Sequence, residues 1–91
     1  MADHLLTFEL EKDGDVLRIH GDAAGLRFLA KVLTKLGDCA ANGKPEHEHL
    51  MTEEWAGHEL SSVPKDPESR LLNQVNIHAW PEEEDRTGPW V

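Results

Sequence analysis

The stretch "LLTFELEKDGDVLRIHGDAAGLRFLAKVLTKLG", Leu5 to Gly37, carries two periodicities in succession. Leu6, Phe8 and Leu10 alternate with Thr7, Glu9 and Glu11, and Leu17 and Ile19 alternate with Arg18 and His20. A period of two is the mark of a half-buried strand. Between the runs stands Lys12-Asp13-Gly14-Asp15, and Asp-Gly suits a two-residue type I′ turn with positive φ at both central residues. Setting Lys12 opposite Asp15 pairs Leu10 with Leu17, Phe8 with Ile19, Glu9 with Arg18 and Thr7 with His20. Apolar residues then meet on one face, and the one charged pair is opposite in sign.

The period then changes to that of a helix. Asp22 is placed as an N-cap. Ala23, Leu26, Leu29, Ala30, Leu33 and Leu36 form an apolar stripe, with Arg27, Lys31, Thr34 and Lys35 off it. Lys31 and Lys35 suit the C-terminal end through the helix dipole, and Gly37 is read as the stop. Beyond it, "DCAANGKPE" (Asp38–Glu46) and "SSVPKDPES" (Ser61–Ser69) read as loops. His47–Met51 reads as a short strand and Leu71–Trp80 as the last one, closed by Pro81.

The expected fold is therefore α+β, in the order β-β-α-β-β. It is a four-stranded, mostly antiparallel sheet with one helix packed on one face. Residues 1–81 form one domain, and 82–91 an acidic C-terminal tail. With one face under the helix, the other is expected to be open. On it fall Thr7, Glu9, Arg18, His20, His47, His49, Met51, Gln74, Asn76, His78 and Trp80.

Composition narrows the function. The 91 residues carry a net charge of −9. Residues 1–45 hold seven acids and six bases; residues 46–91 hold eleven acids and three bases. A surface so anionic repels phosphate backbones and anionic membranes and attracts a basic protein. No apolar run reaches bilayer-spanning length, and no secretory signal is recognisable. Cys39 is the only cysteine, which fits a reducing cytoplasm.

"HEHLMTEEWAGHEL", His47 to Leu60, is the densest chemical stretch. His-x-His on a strand puts two imidazoles on one face, so His47 and His49 with His78, or with His20, make a weak candidate zinc set, and a metal- or small-ligand-binding module is the alternative reading. His58-Glu59 and His47-Glu48 have acid-base character, and Ser61-Ser62 lies nearby. A nucleophile elbow, His-Glu-x-x-His and phosphate loops are absent from the sequence, so no enzyme and no cofactor are expected. Trp55 fits either a core position packed against Gly57 or an interface anchor.

The same stretch, extended to Ser61, resembles the signature of a bacterial family, immunity protein family 32 of polymorphic toxin systems. That pattern is His-x-His-Leu near Trp-Gly-Gly-x-Glu-Leu. The hairpin, the "GDAAGL" helix start and the strand "VNIHAWP" also fit, so the resemblance runs from about Leu5 to Pro81. Ala56 stands where the pattern has its first glycine. The resemblance implies a small cytoplasmic protein that binds and neutralises a cognate toxin without catalysis, and the acidic charge suits a basic toxin. It implies partner contacts at His47, His49, Glu53, Glu54, Trp55, Glu59 and His78. A homodimer is compatible with the same surface.

Overall fold

A computed structural model describes residues 3–82. The fold is α+β, with one helix and antiparallel sheets, but the strands form two sheets instead of one. The elements are β1 (Leu6–Glu11), β2 (Leu17–Gly21), α1 (Ala23–Ala41), β3 (Glu46–Met51), a 3-10 turn (Glu53–Trp55), β4 (Ser69–Leu71) and β5 (Gln74–Ala79). One sheet has the order β2-β1-β4; the other pairs β3 with β5. The expected last strand, Leu71–Trp80, is thus two strands. Leu72 N–H still donates to Phe8 O at 2.9 Å; one residue later Asn73 O accepts from Thr52 N–H at 3.0 Å and the chain passes to β3. The tail expected over 82–91 lies, beyond Glu82, outside the described residues.

The hairpin register is the one the side chains dictate: Leu10 opposite Leu17, Phe8 opposite Ile19, Glu9 opposite Arg18, Thr7 opposite His20. The turn differs from type I′. Of its residues only Gly14 has positive φ (+77°), and Gly14 N–H donates to Glu11 O at 2.8 Å. The connection is a four-residue loop, Lys12–Asp15, closed by Glu11 N–H to Val16 O at 3.0 Å.

Asp22 caps α1 as expected: its carboxylate accepts Gly25 N–H at 2.7 Å, and this bond holds its carboxyl below the ordinary aspartate value. Gly25 is obligatory, since a Cβ there would sit 1.8 Å from Leu5 O. The helix runs past Gly37 to Ala41; Gly37 lacks the positive φ of a helix stop and sits inside the helix with open space around it. Asn42 and Gly43, the latter at φ +76°, end it. Lys35 is therefore not at the helix end; it pairs with Glu48 at 2.5 Å, which raises its pKa.

The buried stripe is also rotated from the expected one. Phe28, Leu29 and Val32 pack on a core of Leu6, Phe8, Leu50 and Leu60, together with Leu72, Val75 and Ile77. Gly25 and Leu36 are buried on the same side, whereas Leu26 and Leu33 are 48 % exposed. The close approach that Gly25 permits decides this rotation, turning its own side of the helix inward.

The face expected to be open is in part covered. Thr7 and Glu9 are fully buried. Glu9 accepts the N–H groups of Lys65 and Asp66, both at 2.9 Å, and the Thr7 hydroxyl at 2.5 Å. The irregular segment after Leu60 thereby crosses β1 and seals it. Burial pushes the Glu9 carboxyl up, but these donors and nearby His20 outweigh it and hold it below the usual glutamate value. Arg18, on the same side, pairs with Glu11 and lies 3.8 Å from Asp66.

Candidate functional site: the histidine face of β3 and β5

β3 and β5 pair through Glu46–Ala79, His47–His78, Glu48–Ile77, His49–Asn76, Leu50–Val75 and Met51–Gln74. Alternation does the rest. Leu50, Val75, Ile77 and Ala79 turn toward α1 and the core. His47, His49, Met51, Gln74, Asn76, His78 and Trp80 turn the other way.

On that side the rings form a row. His47 and His49 are 4.8 Å apart between centroids, edge to face; His47 and His78 are 5.5 Å apart. Trp80 stacks on His78 at 6.4 Å and 20°, and is 66 % exposed. Gln74 Nε2 lies 3.1 Å from His49 Nδ1 and donates to Asn76 Oδ1 at 2.8 Å. The row is thus ordered by its own side chains and offers flat ring faces to solvent. The period-two run Gln74-Asn76-His78-Trp80 was the signal for this half of it. Thr7, Glu9, Arg18 and His20 are not on the face; they belong to the other sheet.

The row does not close on a point. His47 lies between His49 and His78, and Gln74 engages His49. Among the described residues no three His, Cys, Asp or Glu side chains are disposed to hold a metal ion.

The segment after β3 carries the remaining sequence candidates. Glu53, Glu54 and Trp55 form the 3-10 turn, all three exposed; Trp55, at 54 %, is not a core plug. Ala56 follows with φ +68°, a left-handed conformation that favours glycine. Gly57 then packs so closely that a Cβ would lie 2.5 Å from the Met51 Cβ and carbonyl oxygen. The chain returns alongside β3: Gly57 N–H donates to Thr52 O, Leu60 N–H to Met51 O, and Leu60 is buried.

Glu59 and Ser61 complete this turn as structural groups. The Glu59 carboxylate accepts Met51 N–H at 3.0 Å, and its carbonyl lies 2.7 Å from His4 Nε2. Ser61 Oγ accepts Leu6 N–H and donates to His4 O, both at 3.0 Å. The Trp-Ala-Gly-x-Glu-Leu-Ser run therefore ties β3 to β1.

The immunity protein 32 family matches residues 16–73, from β2 to the end of β4 and through the whole of this turn. The chain belongs to that family. Within the matched stretch Ala56 is left-handed and Gly57 is crowded against Met51, two separate backbone demands on adjacent residues. β5 and Trp80 lie beyond the matched residues. No curated protein and no solved structure matches the chain. Among the described residues, no helix is long and apolar enough to cross a membrane.

Proposed function

We propose that this immunity protein binds and neutralises a cognate toxin protein, without catalysis, through the face bearing His47, His49, His78 and Trp80 and the adjoining turn with Glu53, Glu54 and Trp55. The observation that carries this reading is the exposed ring row. Aromatic and imidazole faces are presented on a rigid sheet whose opposite side is the core, and such pre-ordered rings are the anchors that interfaces favour. Glu59 contributes indirectly, by fixing the turn through Met51 N–H.

The partner that suits the surface is basic. Eleven acids against three bases in residues 46–91 favour fast, salt-sensitive association with a cationic protein. The carboxylates of Glu53 and Glu54 then meet the cationic groups around the toxin's working site, and the bound immunity protein blocks access to it. The cytoplasm is the compartment where such protection is needed, and its reducing conditions suit the unpaired Cys39.

The test is co-expression with the protein encoded beside this gene, read as rescue of growth and as a co-purifying complex. The complex is expected to weaken steeply with salt. Rescue that survives simultaneous alanine substitution of His47, His49, Trp55 and His78, in a folded variant, removes this face from the reading.

A further inference from the structure

We infer that the outer edge of β2 is a self-association surface, on which a second copy of this chain adds its own β2 antiparallel. The inference does not depend on the immunity reading. β2 ends the order β2-β1-β4, so one of its edges has no strand beside it among the described residues. The pairing of Glu11 with Val16 fixes which groups point where: Val16, Arg18 and His20 turn their N–H and C=O toward β1, and Leu17 and Ile19 turn theirs outward.

The side chains on this edge are apolar where they are exposed. Leu17 is 50 % and Ile19 46 % exposed, and both lie on the Phe8 side of the sheet. Leu26 of α1 packs over Gly21 at the end of the same strand and is itself half exposed. Leu33 stands two helical turns further along that flank. Natural edge strands are guarded by charges, proline or a bulge; β2 carries one charge, Arg18, on the face away from Leu17 and Ile19, and has no proline and no bulge in its pairing with β1.

A second copy fits this edge better than an unrelated strand does, on three grounds. Antiparallel pairing centred on Arg18 sets Leu17 opposite the other copy's Ile19, twice over, and it is the outward N–H and C=O groups of these two residues that this register joins. The register sets Arg18 beside its own counterpart, and each Arg18 is balanced within its own copy by Glu11 and Asp66. Residues 16–41, which carry the surface, hold four bases and two acids in a chain of net −9, so two copies meet where their acidity is least. Finally, the half-exposed Leu17, Ile19, Leu26 and Leu33 lie along one flank, and the strand backbone and arginine stems beside them add toward the ~800 Å² per partner that a standard interface buries.

Sedimentation equilibrium of the full chain at micromolar concentrations tests this. The wild type is expected to be a dimer. Ile19→Lys, and separately Leu17→Lys, are expected to give folded monomers with unchanged circular dichroism. Arg18 faces its own counterpart in the proposed register as a close, non-hydrogen-bonded pair, with a Cα spacing of about 4.5 Å, within disulfide reach. Arg18→Cys in a Cys39→Ser background is therefore expected to cross-link covalently under copper-phenanthroline oxidation. A wild-type monomer, or a dimer that survives both lysine substitutions, overturns the inference.

Discussion

Two neighbouring parts of the chain use polar side chains in opposite ways. In the turn from Thr52 to Ser61, three polar side chains look inward: Glu59 holds Met51 N–H, Ser61 holds Leu6 N–H, and Thr52, fully buried, donates through its hydroxyl to Asn73 at 2.7 Å. On the outward face of β3 and β5, the rings of His47, His49, His78 and Trp80 contact mainly one another and solvent. The contrast teaches that a dense polar motif can serve the scaffold: the run from Gly57 to Ser61 ties β3 to β1, and the ring row on β3 and β5 faces solvent.

The sharpest way to break this contrast is at Gly57. A methyl group there meets the Met51 backbone, which cannot retreat without disturbing β3. Gly57→Ala is expected to cost about 3 kcal/mol or more, read as a fall in thermal midpoint. A near-wild-type melt contradicts the tight turn.

Glu9 comes next, as the internal polar group that seals β1. Glu9→Gln is expected to cost about 2–3 kcal/mol, because its NH2 group must face one of the two N–H donors that the carboxylate accepts. The sign with pH follows from its lowered pKa. The folded protein holds the ionised form more firmly than the unfolded chain does, so this stability is fully present above the ordinary glutamate value and is lost as pH falls through the lower folded value. Asp22 and Asp66 are shifted the same way. Acid unfolding of the wild type is therefore expected to be steeper than that of Glu9→Gln, monitored by circular dichroism from neutral pH downward. Parallel acid profiles contradict this role for Glu9.

Trp55 sharpens the comparison from the other side. Trp55→Ala is expected to weaken toxin binding by ~2 kcal/mol while moving the melting midpoint little; titration calorimetry and a melt on the same sample separate the two. The smallest effect is expected at Ala56, whose left-handed backbone suits glycine. Ala56→Gly is expected to raise stability by about 0.5–1 kcal/mol in denaturant titration. A loss of stability there means that the residue is not strained.

The hairpin register was legible because side-chain alternation constrains it: a one-residue slip would put Glu9 opposite Leu17 or Ile19. The Asp22 cap and the face shared by His47, His49 and His78 were legible for the same local reason. What escaped depends on long-range contacts. Leu26 and Leu33 fit an amphipathic stripe as well as Phe28 and Val32 do, and only the close passage of Gly25 against Leu5 O selects between them. The burial of Thr7 and Glu9 under residues 61–66 needed knowledge of where a proline-bearing loop would lie. The split into two sheets turned on Asn73 changing partners, which no periodicity encodes.

The most direct test of the central claim is the affinity of the cognate toxin for a His47→Ala/His49→Ala/His78→Ala variant, measured alongside its melting temperature. The predicted result is an unchanged melt with binding weakened about thirtyfold or more, some 2 kcal/mol. Wild-type affinity in a folded triple variant would contradict the account, and would move the binding surface away from β3 and β5.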